Sequence, residues 1–151
     1  MSDEDSLYSQ LVNQLNIEFT LAYVYLKYRD EAQPIKIFYQ KLRDDSLSHL
    51  SLIGSAIKAL GKNVPKPRML SITEDTPFVS RIKGLSLSKM REEAYMEIEK
   101  MEVAAASSFT KLSEEFLDER YSALFRLMRD EEIVHQRMLR IIRGKLDSPI
   151  T

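Results

Sequence analysis

Four stretches of this chain repeat apolar side chains at alternating three- and four-residue steps, and each is broken near its middle by a polar or ionisable residue. The first carries Leu11, Leu15, Glu18, Ala22 and Tyr25. The second carries Ile35, Tyr39, Leu42, Ser46, His49, Ile53, Ala56 and Leu60. Tyr95, Ile98, Glu102, Ala105, Phe109, Leu112 and Phe116 form the third; Phe125, Met128, Glu132, His135, Leu139 and Ile142 form the fourth. Such spacing belongs to a helix that buries one face. No segment sustains the two-residue alternation of a half-buried strand, so the expected class is all-α. An ionisable group inside a buried stripe is costly unless something pairs with it. The interruptions are therefore where chemistry is to be sought.

Glycine and proline number only 4 and 5, and they gather where helices should stop. Together with the stripes they predict helices over about 6–31, 34–61, 86–116 and 119–144. The acids and serines of "SDEDS" suit the first N-terminus. Pro34 suits the first turn of the second helix, Gly61 its end, and Gly144 the end of the fourth. Residues 62–85 hold three prolines in mixed polarity and read as a connection. Extended, that connection would reach about 80 Å, more than two neighbouring antiparallel helices need. The expectation is a single-domain four-helix bundle over residues 1–151, made of two antiparallel hairpins joined by a crossover.

The chain also repeats itself. "RDDSLSH" at 43–49 matches "RDEEIVH" at 129–135 in Arg, Asp and His, with an acid at both Asp45 and Glu131. The two histidines that close these heptapeptides are the only two in the protein. Glu18 is followed seven residues later by Tyr25, and Glu102 seven residues later by Phe109. Each half is thus a helix with a glutamate, then a helix with the heptapeptide. The separations, 31 residues from Glu18 to His49 and 33 from Glu102 to His135, centre on the Gln33-Pro34 turn and on "LDER". Folding each hairpin back on itself brings its Glu and His to one level, near mid-bundle.

Glu18, His49, Glu102, Glu132 and His135 should therefore meet in one interior layer. The three-residue step from Glu132 to His135 puts both on one helical face. Carboxylate and imidazole together suit iron, manganese or zinc. Without a cation, three carboxylates in a dry core would repel and each carry a desolvation penalty. The bland alternative is a hydrogen-bonded Glu–His layer without metal. Asp45 reads first as a solvated helix charge, Glu99 equally as surface or ligand, and Tyr25 and Phe109 as core packing.

The arrangement resembles the ferritin-like superfamily, and the rubrerythrin-type diiron domain most closely. "EIVH", with Glu132 and His135, matches that family's Glu-x-x-His motif, and Glu18 and Glu102 match its single-glutamate positions. Glu99, one turn before Glu102, is similar to the extra glutamate of rubrerythrins. The resemblance covers essentially the whole chain and implies two iron ions, with peroxide reduction or ferrous oxidation as the reaction. It also implies terminal roles for Glu18 and Glu102, a bridging role for Glu132 and one histidine per ion. The departure is Ser46, which stands where the first Glu-x-x-His should have its glutamate. Asp45 or Glu99 could supply the lost carboxylate, or water or hydroxide held by Ser46 could bridge. An altered dinuclear site, a mononuclear site and a vestige all remain open to the sequence.

Zero cysteines exclude thiolate metal sites, disulfides and an appended rubredoxin-like cluster, so electrons would have to come from a separate donor protein. A net charge of -1 without basic stripes argues against nucleic acid. The acidic start lacks the pattern of a secretory signal, no apolar run reaches membrane-spanning length, and a cytoplasmic location is the default. The aromatics Phe19, Tyr23, Tyr28, Phe38 and Tyr39 read as core or homodimer contacts. Two other functions compete: a degenerate bundle acting only in structure or interaction, and iron storage in a closed shell.

Overall fold

The structure is a computed structural model, and it describes residues 3–28, 36–70 and 87–147. Four helices account for most of these: α1 (Asp3–Tyr28), α2 (Lys36–Ala59), α3 (Leu87–Glu115) and α4 (Glu119–Asp147). No strand occurs among the described residues. α1 packs chiefly on α2 and α3 chiefly on α4, while α1 also meets α3 and α2 meets α4.

The helix ends reflect local chemistry. α2 closes at Gly61, whose φ of 76° is open to glycine at little cost. The Gly61 amide donates to the Lys58 carbonyl at 2.9 Å, and the Lys62 amide to Ile57 at 3.3 Å. α4 opens on Asp118, whose carboxylate accepts the Arg120 amide at 2.9 Å as an N-cap. At its other end, α4 runs through Gly144 to Asp147 instead of stopping at the glycine. One glycine costs an established helix only about 1 kcal/mol, so it ends a helix only when the next residues give it another partner. The expected Pro34 start of α2 and residues 71–85 of the expected connection lie outside the described residues.

The stripes become two apolar clusters with a polar layer between them. One gathers Leu7, Leu11 and Leu15 from early α1, Ile53, Ala56 and Ile57 from late α2, Phe109, Leu112 and Phe116 from late α3, and Phe125 and Met128 from early α4. The other gathers Leu21, Val24 and Tyr25 from late α1, Tyr39 and Leu42 from early α2, Ile98, Met101 and Ala105 from α3, and Met138, Leu139 and Ile142 from late α4. Between them lie the buried residues Glu18, Ser46, His49, Glu102, Glu132 and His135. Apolar packing above and below fixes the four helices at the level where the polar side chains meet.

Past Gly61 the chain lies along α1. The amides of Arg68 and Leu70 donate to Asn16 Oδ1 at 3.0 Å and Thr20 Oγ1 at 3.2 Å. This accounts for two polar residues that are buried on α1 outside the mid-bundle layer. No helix among the described residues is long and apolar enough to cross a membrane.

Candidate metal centre

Among the described residues, two groups of side chains are placed so that they could hold a cation: Glu18, His49 and Glu132, and Glu102, Glu132 and His135. Within each group the ligand atoms lie within 4.8 Å of one another, and every member is buried. Glu132 belongs to both. Its Oε1 lies 2.7 Å from His49 Nδ1, and its Oε2 lies 3.6 Å from His135 Nδ1. His49 Nδ1 is also 3.4 Å from Glu18 Oε1, and His135 Nδ1 is 3.3 Å from Glu102 Oε1. The imidazole rings stack with centroids 6.0 Å apart.

The closest of these contacts is not a hydrogen bond. His49 Nδ1 and both oxygens of Glu132 have no hydrogen-bond partner although they are fully buried. A close approach without donor–acceptor alignment is what results when both atoms aim at a third point. Donor atoms bound to one transition ion at about 2.1 Å lie roughly 3.0–3.4 Å apart, depending on coordination angle. The separations above bracket that range. Glu18 Oε2 is likewise buried and unpartnered. Orphaned polar atoms are rare in protein interiors and call for a partner. On donor type, spacing and burial, these residues could hold a metal ion.

The outer nitrogens are held crosswise. His135 Nε2 bonds Asp45 Oδ2 at 2.8 Å, and His49 Nε2 meets Glu131 Oε1 at 3.4 Å. Asp45 and Glu131 occupy equivalent places in the two heptapeptides, and each serves the histidine of the other copy. Lys41 Nζ holds the remaining Asp45 oxygen at 2.7 Å. A carboxylate behind a ligating histidine fixes its ring orientation and raises its basicity. Asp45 thus lies behind His135 and outside both ligand groups. Glu99 is half-buried and also outside them.

Three more residues shape the layer. The Tyr25 hydroxyl donates to Glu102 Oε1 at 2.5 Å, so this residue, which the stripe presents as core packing, also ties down a carboxylate. Gln14 Nε2 donates to Glu18 Oε1 at 3.2 Å. Its place one turn before Glu18 was the available signal. Phe109 sets its ring edgewise on His49, with centroids 5.6 Å apart. Ser46 is fully buried and its hydroxyl has no partner. Arg43 and Arg129, the first residues of the repeats, bond their chain neighbours Asp44 and Asp130 at 2.8 and 2.9 Å.

Protons take up the charge when no cation does. Burial opposes the charged form of His135, but Asp45, Glu102 and Glu132 together push its pKa up to about 12. His49 is raised too: burial works against it, and Glu18 and Glu131 prevail. Burial, then the charges of Glu102 and Glu18, raise Glu132 well above the usual carboxylate value. Burial would also raise Glu102, yet its contacts with His135 and Tyr25 hold it below its ordinary value. Asp45 is lowered, His135 and Lys41 outweighing its partial burial. Burial and the neighbouring Glu102 raise Tyr25. The carboxyl of Glu132, the residue common to both groups, is thus biased towards its protonated form.

Compared with family models, with curated proteins and with solved structures, the chain matches none of them.

Proposed function

We propose that the chain is a carboxylate-rich metalloprotein of ferritin-like, rubrerythrin-type architecture, with a two-ion centre shared through Glu132. Glu18 and His49 would hold one ion, Glu102 and His135 the other. The architecture would be two antiparallel hairpins, α1–α2 and α3–α4, joined by a crossover. Its support is the make-up of the clusters, where early α1 meets late α2 and late α3 meets early α4.

One observation carries the proposal: Glu132 presents one oxygen to each histidine, and neither oxygen has a hydrogen-bond partner. A Glu–His layer built only for hydrogen bonding would leave those atoms at a cost of about 1–3 kcal/mol each. Redox-active ions such as iron would supply the electrons for reducing a peroxide, or would themselves be oxidised from the ferrous state. The residues contribute position and environment. Asp45 and Glu131 orient the imidazoles, Tyr25 and Gln14 orient Glu102 and Glu18, and the apolar clusters keep bulk water out. Repeated peroxide reduction would need an external reductant to return the ions to the ferrous state, because no cysteine of this chain could hold an iron–sulfur centre to relay electrons; ferrous oxidation would instead need only an oxidant such as a peroxide.

The test is metal content. Purified protein should contain iron, manganese or zinc, and metal-stripped protein should take up ferrous or cobaltous ion under anaerobic conditions. Less than about a tenth of an equivalent as purified, with no uptake afterwards, would remove the proposal.

A second reading is favoured by the Lys41–Asp45–His135 chain and by the ease with which the cluster can neutralise itself with protons. There the layer is a vestige that serves packing alone, Ser46 marking the loss. It predicts that His135→Ala changes stability and leaves metal content at zero throughout.

A further inference from the structure

The outward face of α4 carries apolar side chains that the proposed metal chemistry does not use. Leu127, Val134 and Ile141 are spaced by seven residues and are 56%, 46% and 49% exposed. At about 100° per residue they lie roughly 140–180° around the helix from Glu132, which points inward. Single exposed apolar residues are ordinary. Three on one heptad line form the kind of seam through which helices pair. Ala123, Asp130, Arg137 and Gly144 are also exposed and fill the same line at alternating three- and four-residue steps.

We propose that this seam pairs with its own copy on a second chain, antiparallel about a two-fold axis at Val134. Read backwards, the line complements itself. Leu127 faces Ile141 of the copy, Val134 faces Val134, Asp130 faces Arg137, and Ala123 faces Gly144. Symmetry makes each unlike contact twice. Parallel pairing in register would set Asp130 on Asp130 and Arg137 on Arg137, which like-charge repulsion disfavours. Charge thus selects one orientation and one partner. In the single chain Asp130 is held by Arg129 at 2.9 Å. Arg126 would meet Arg140 of the copy at the rim, but it is already paired with Glu119 at 3.3 Å. The seam is about 32 Å long and one helix wide. That is less than the roughly 800 Å² per partner of a standard interface, so pairing should depend on concentration.

The absence of native cysteine permits a direct test. Val134→Cys places one thiol per chain at the axis and should form a disulfide-linked dimer under mild oxidation at least tenfold faster than Lys111→Cys, an exposed position on α3. Asp130→Cys and Arg137→Cys should each link slowly alone but rapidly when the two variants are mixed. Sedimentation should show a monomer–dimer equilibrium that Val134→Glu weakens at least tenfold. Asp130→Arg and Arg137→Asp should each weaken it, and the double exchange should restore it. All these positions are exposed, and unchanged circular dichroism will verify folding. Equal linking rates at 134 and 111, or a wild-type protein monomeric at about 1 mM, would overturn the proposal. So would a dimer indifferent to Val134→Glu. Neither method reads metal content, so this outcome is separate from that of the metal assay.

Discussion

Asp45 stands one helical turn before His49, yet its carboxylate bonds His135, 90 positions away on α4, at 2.8 Å. Glu131, one turn before His135, faces His49 in return at 3.4 Å. The two heptapeptides are thus interlocked, each acid behind the other copy's imidazole. Both inner nitrogens are left facing Glu132.

Asp45→Asn tests this interlock. The amide can still accept from His135 Nε2, but it no longer raises the basicity of the ring. Loss of a carboxylate behind a ligating histidine typically lowers metal affinity 10–100-fold. Calorimetric titration of the metal-stripped variant should show that loss in one of two binding steps. Glu131→Gln should lose less, because that contact is longer and its acid is more exposed.

Glu132→Gln should weaken both steps, whereas Glu18→Gln should weaken one. In the metal-free protein at neutral pH Glu132→Gln should not destabilise and should gain on the order of 1 kcal/mol, because burial and the nearby Glu102 and Glu18 disfavour the charged carboxylate in the fold and the neutral amide avoids that cost. Urea denaturation of stripped protein checks the second part. A loss of more than about 2 kcal/mol would mean that the carboxylate is needed for the fold itself.

Ser46→Glu restores the carboxylate that the other repeat carries at this position. It should tighten the weaker of the two binding steps at least tenfold, read by the same titration. Ser46→Ala should leave the fold intact, because the hydroxyl it removes is buried without a partner. Unchanged affinities in Ser46→Glu would show that this position does not face the ions.

Metal-free stability should be greatest on the acid side of neutrality. The folded-state pKa of His135 is pushed up to about 12, against about 6.5 in an unfolded chain. Its contribution is therefore complete below about pH 6.5 and is lost as pH rises towards the folded value. Glu132 acts in the same sense, because its raised folded value makes the unfolded chain ionise first above about pH 4.5. Asp45 and Glu102 act oppositely: their lowered values give stability that is present above about pH 4 and lost as pH falls further. The urea midpoint of stripped protein should peak near pH 5–6 and decline by pH 9. Bound metal replaces these protons, so affinity should rise about tenfold per pH unit for each proton released. A stripped-protein midpoint that climbs steadily from pH 6 to 9 would contradict this charge state.

By itself the sequence determined which faces of which segments are buried and that the inward stripes are interrupted at Glu18, Ser46, His49, Glu102, Glu132 and His135. Periodicity is a local property, and a three- or four-residue step fixes the side of the helix whatever packs against it. Helix ends were legible where a residue acts on its own turn, as Gly61 does. They were illegible at Gly144, where stopping or continuing depends on the partners open to residues 145–147. Only the tertiary structure decided who meets whom. That Asp45 serves His135, that Tyr25 holds Glu102 and that residues 68 and 70 lie on Asn16 and Thr20 are contacts between segments distant in the chain. Their geometry is set by how the apolar clusters seat the helices together, which no local spacing encodes.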